Sequence, residues 1–184
     1  MYDKSDPRAQ LAPAPKGAAK AALTGLVAEE QLATFYDTAP QIDDAAGKTW
    51  FLRGHNFVLA YSELNPGGCL TREGQVDEYV ALMPDAPSVL TAGDDREELA
   101  GGHIAFVPPG DSSVTLPEGG VLIRLFTIRS TDMVEACPNA HAYDTPRTHI
   151  PEFAPWPEPP EGLKLRSYSL DVPPEKGRFG RIFR

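Results

Sequence analysis

Between residues 49 and 126 the chain is cut into short apolar runs, and this cutting constrains its fold more than any other feature. The runs cover residues 50–52, 57–61, 79–83, 88–90, 104–107, 113–116 and 121–126. They are rich in β-branched and aromatic residues, and Gly, Pro, Asn or Asp separates each from the next. Strands this short and this regularly punctuated predict an all-β sandwich or barrel. Glu118-Gly119-Gly120 reads as a hairpin signal between the last two runs.

The chain has 184 residues, enough for one domain with a substantial core and an arm or two. Many of its 19 prolines fall near the ends, at Pro7, Pro13 and Pro15 and then from Pro138 to Pro174. That distribution predicts a compact middle flanked by extended, wrapping segments. The expected organisation is an N-terminal arm with short helices over 1–48, a β-barrel over 49–130, and a Pro-rich arm with a terminal strand over 131–184. Leu23, Leu26, Val27, Leu32 and Phe35 form one apolar stripe, which predicts helix over residues 17–36 with an interruption at Gly25. In the C-terminal arm, Phe153 and Trp156 are expected to dock apolar rings while prolines keep the backbone extended. Residues 163–170 alternate like one more strand, and residues 177–184 are basic and aromatic, suited to pairing with a second subunit.

Formal net charge is −9 and the sequence pI is about 4.9. Such a chain repels phosphate backbones, which argues against nucleic acid as a partner. Part of the acid is local, in Asp94-Asp95-Arg96-Glu97-Glu98, which reads as a solvated turn. Cys69 and Cys137 have no CxxC spacing and are expected as reduced thiols in a cytoplasmic protein. No apolar run approaches the roughly 20 residues that cross a membrane, so no membrane partner is expected either.

Three segments carry a family resemblance: Asn65-Pro66-Gly67-Gly68, then Asp77-Glu78-Tyr79-Val80, then residues 102–110 ending in Pro108-Pro109-Gly110. Over about residues 50–128 the chain resembles the cupins. The family's second motif spaces Gly, Pro-x-Gly, His and Asn; here the same spacing gives Gly102, Pro108-Pro109-Gly110, Ser113 and Pro117. The first motif places two histidines before a glutamate. Counted back from Glu78, those places hold Arg72 and Gly74; counted forward from Gly67, they hold Glu73 and Gln75. The resemblance implies a double-stranded β-helix, or jelly-roll, barrel with a short N-terminal helical segment, often dimeric, with a ligand pocket in its mouth.

A mononuclear metal needs about three protein ligands, typically imidazoles with a carboxylate. The inherited positions offer only Glu78, with Glu73 or Gln75, so no metal and no other cofactor is expected. Arg124 stands in an apolar strand, where an arginine either snorkels at the rim or points into the pocket to meet an anionic ligand. Arg72, Gln75 and Ser113 are the other candidate ligand-binding residues. Glu78, if buried in the barrel, and His55, if it faces inward, are the candidate acid/base groups. Asp132, His141, Asp144 and His149 lie in the wrapped tail, where loop polarity accounts for them.

Three functions follow as expectations. The first is a metal-independent barrel that binds a small polar or anionic molecule, either as a binder only or as an isomerase or epimerase. The second is a metal-dependent, dioxygenase-like or isomerase cupin whose ligands have moved to His55, His103 and Glu78 or Glu73. The third is a non-enzymatic structural or regulatory homodimer.

Overall fold

The computed structural model describes residues 34–145, 158, 160 and 162–171. Most of the expected N-terminal helix, as well as His149, Phe153, Trp156 and residues 177–184, lies outside them. Of that helix only the end is described, and Phe35–Asp37 forms a single 3-10 turn.

The described strands form two antiparallel sheets. In chain order they are β1 (Ile42–Asp44), β2 (Gly47–Arg53), β3 (Phe57–Leu64), β4 (Gly68–Gln75), β5 (Tyr79–Met83), β6 (Ser88–Ala92), β7 (Asp95–Leu99), β8 (His103–Val107), β9 (Gly110–Leu116), β10 (Gly120–Thr127) and β11 (Arg166–Ser169). The larger sheet runs β1-β2-β3-β10-β5-β8-β11, and the smaller runs β4-β9-β6-β7. A five-residue helix, α1 (Thr131–Glu135), follows β10. Strand pairing thus reaches back to Ile42, ahead of the expected boundary at 49. The alternation at 163–170 does build a strand, β11, which pairs with β8 at one edge.

The two inner faces make one core. Along β3, Val58, Ala60, Ser62 and Leu64 are buried while the residues between them are not, and β5, β6 and β9 alternate in the same way. Period-two burial of this kind is what a sheet with one covered face imposes. Phe35, Trp50 and Tyr61 pack together on the outside of the larger sheet, with Phe35 stacked on Tyr61 at 4.9 Å.

Two sequence expectations need correction. The turn around Glu118-Gly119-Gly120 is not a hairpin, because β9 pairs with β4 and β6 whereas β10 pairs with β3 and β5. It carries the chain from one sheet to the other. A Cβ on Gly119 would lie 2.7 Å from the Leu64 carbonyl oxygen, so this crossing requires glycine. The acidic run is not only a turn: Gly93-Asp94 closes a hairpin, and Asp95–Leu99 is the edge strand β7. Charged residues on an edge strand discourage pairing with other chains.

Candidate functional site

One cross-strand row of the larger sheet defines the site. Read across the sheet, Phe51, Ala60, Arg124, Ala81 and Ala105 stand side by side. All five face the barrel interior, and the three alanines are fully buried. Small neighbours on both sides leave room for the long arginine side chain to lie over them. Arg124 is 4% exposed, and neither its Nε nor its Nη1 has a hydrogen-bond partner among the described residues. Burial lowers its pKa to about 10, which leaves it charged at neutral pH. Its Cζ lies 5.3 Å from the centre of the Phe126 ring, two residues along the same strand and face.

The opposite wall supplies a second guanidinium. Arg72, on β4 of the smaller sheet, places its Cζ 5.4 Å from the same ring. Its Nε and Nη2 both donate to Gln75 Oε1, at 3.0 and 2.8 Å. Arg72 and Gln75 are three residues apart, a separation that would put them on opposite faces of a regular strand. The pairing register shifts between them, and Gly74 takes φ +57° there. This bulge turns both side chains inward. Gln75 Nε2 in turn donates to Ser130 Oγ at 2.9 Å. Tyr79 stacks on Phe126 with ring centres 4.8 Å apart, and its hydroxyl lies 3.1 Å from Ser112 Oγ. Burial pushes the Tyr79 phenol above its ordinary pKa, so it stays protonated at neutral pH.

The segment after β10 closes this end of the barrel. Met133, Val134, Ala136 and Ala140 pack on the core, and Cys137 is buried there. Asp132 accepts two hydrogen bonds from Arg72, at 2.6 and 3.2 Å, and these hold its carboxyl below the usual range. Farther along, Asn139 makes two 2.9 Å bonds to the Arg53 backbone, and the Arg53 guanidinium bonds Ala140 O and Asp144.

The remaining sequence candidates lie elsewhere. Ser113 faces out of the barrel and bonds Thr91 at 2.7 Å; the serine that faces inward is its neighbour Ser112. Glu78 is on the outer face with Val80 and Phe106, ion-paired to Arg166 of β11, because the inward place belongs to Tyr79. His55 is in the turn joining β2 to β3, where it bonds Asn56 and meets the Tyr143 ring edge-on at 5.5 Å. His103 is at the opposite end of the barrel, paired in register with Met83, and its Nδ1 is 3.1 Å from Gly101 O. The structure therefore does not bring His55, His103 and Glu78 together. Sequence reasoning missed Ser112 and Ser130, two small polar residues that carry no motif of their own, and it put Asp132, which pairs with Arg72, down to loop polarity.

The fold is decided by how the sheets are joined. They face each other around one core, and Pro108-Pro109 links β8 of one to β9 of the other at the place where the sequence carries Pro-x-Gly. This is an all-β, double-sheet jelly-roll barrel. No protein-family model matches the chain, and no curated protein matches it either. Among solved structures, an RmlC-like cupin from Shewanella frigidimarina aligns over 56% of this chain and 96% of its own, at 20% identity and a TM-score of 0.49. KdgF from a Halomonas species aligns over 54% and 96%, at 12% identity and a TM-score of 0.47. A variant of Bacillus subtilis oxalate decarboxylase aligns over 54% of this chain but 30% of its own, at 18% identity and a TM-score of 0.43. These are likenesses of shape.

The metal that the sequence resemblance implies does not fit this interior. Among the described residues, no group of three His, Cys, Asp or Glu side chains is placed to hold an ion. Two guanidiniums, a carboxamide, a phenol and a serine hydroxyl face the barrel interior instead, and the cations would repel a metal ion. A surface depression of about 270 Å³, lined by Asp43, Lys48, Glu63 and Asn65, lies at the other end of the sheet from this cluster.

Proposed function

We propose that this barrel binds a small organic anion, with Arg124 as the cation that recognises it and no transition metal at the inherited position. One observation carries the reading. Arg124 is buried inside the barrel with two N–H groups that meet no acceptor among the described residues. A buried charge without a partner costs several kcal/mol, and a carboxylate or phosphate on the planar guanidinium fork would repay that cost. Tyr79 and Ser112 supply neutral hydrogen bonds beside it. The reading is binding first. His55 and Glu78, the groups expected to move a proton, lie at the rim and on the outer face.

The test is thermal unfolding of the full chain against acetate, malonate and inorganic phosphate. A ligand at 100 times its Kd stabilises the native state by about 2.7 kcal/mol. Wild-type protein is expected to show a concentration-dependent rise in midpoint with at least one of them. Arg124→Met should show none, and an equal response in the variant would refute the assignment. A homodimer, expected from the chain ends, is a separate proposal. Sedimentation of the full chain checks it, with a single monomeric species counting against it.

A further inference from the structure

We propose that the ligand is a short dianion, such as a dicarboxylate, and that Asp132 occupies the place of its second acid group. The inference rests on the anion-binding reading and narrows it. Arg72 and Arg124 reach the same ring, yet only Arg72 has a carboxylate partner in the described structure, Asp132. The inner cluster therefore holds two guanidiniums and one carboxylate. A monoanion would satisfy Arg124 and leave the Arg72–Asp132 pair in place. A dianion would satisfy both cations, one acid group on each, and return Asp132 to water.

Asp132 is suited to that exchange. It sits at the start of a single short helix, and its side chain is 59% exposed while that of Arg72 is 11% exposed. Displacing it moves a half-hydrated carboxylate fully into solvent and leaves the buried guanidinium paired. Gln75 stays on Arg72 through two bonds, so the fork is held in orientation when its acceptor changes. Because Asp132 belongs to the segment that packs on the barrel end, the same exchange releases one tie between that segment and β4 while the Gln75–Ser130 bond stays.

Isothermal titration at neutral pH with acetate, malonate and succinate tests this on the full chain. At least one dianion is expected to bind wild type tenfold or more tighter than acetate. Asp132→Asn, which removes the internal competitor, should tighten that dianion several-fold and tighten acetate by less. Arg72→Gln should abolish the preference. Equal affinities for acetate and both dianions overturn the inference while leaving the anion-binding reading intact, as does a weaker dianion affinity in Asp132→Asn. No binding of any of the three to wild type or Asp132→Asn overturns both.

Discussion

Arg72 and Arg124 come from opposite sheets of the barrel, and each places its Cζ close to the same phenyl ring, Phe126, at 5.4 and 5.3 Å from its centre. Burial first, and then the like charge of Arg72, disfavour the ionised form of Arg124. Of the two cations Arg124 bears the greater cost, because Arg72 has Asp132 and Gln75 while the Nε and Nη1 of Arg124 have no acceptor among the described residues. The arrangement resembles a site kept at the expense of stability more than a packed core.

Arg124→Met should therefore stabilise the unliganded protein. Replacing even a buried ion pair by apolar side chains of similar volume is often neutral or stabilising by about 1–4 kcal/mol, and Arg124 has no carboxylate partner among the described residues to lose. Urea unfolding should show a higher midpoint with an unchanged slope. A loss of stability would mean that Arg124 is a structural residue of the barrel.

The alanine row makes the complementary prediction. Ala60 and Ala81 flank Arg124 in register and are fully buried, so added methyl groups have nowhere to go. Ala81→Leu should cost about 1–3 kcal/mol and push the guanidinium out of place, weakening anion binding as well. Stability and binding unaffected by this change would show that the interior is roomier than the row implies.

Asp132 gives a pH dependence. Its pKa is lowered in the folded protein, chiefly by the hydrogen bonds from Arg72. Its contribution to stability is present above the unfolded value of 3.8 and is lost as pH falls through the lower folded value. The stability difference between wild type and Asp132→Asn should shrink to nothing across that acid range. A difference that persists at the lowest pH would assign the effect to something other than this carboxylate.

Much of the barrel was legible in the sequence, because β5, β8 and β10 each carry apolar residues on both faces and announce themselves by composition. β4 was not, since its inward residues include Arg72 and Gln75 and Leu70 is its one large apolar residue, so no alternation shows. β7 was hidden for a related reason: a charged edge strand has the composition of a loop. Arg124 could be singled out from its apolar neighbours. Its burial without a partner could not, because that depends on Ala60 and Ala81 lying beside it across two strand pairings. Glu78 misled, because the family pattern marks the position and only the pleat decides that Tyr79 takes the inward place.

The two thiols report on the closing segment. Cys69 is exposed, whereas Cys137 is buried, bonded to Met133 O, and its pKa is pushed up to about 11 by burial. A thiol reagent at neutral pH should label Cys69 rapidly and Cys137 only as fast as residues 130–140 open. Comparable rates at both would mean that this segment does not cover the barrel end.

The most direct test of the central claim is the ¹H–¹⁵N resonance of Arg124 Nε–H, assigned by its absence in Arg124→Met. On titration with malonate, the account predicts a saturable downfield shift of this resonance as the carboxylate becomes its acceptor. An Arg124 signal that stays in place while malonate binds, or one that shows no saturable change with any small anion, would contradict it.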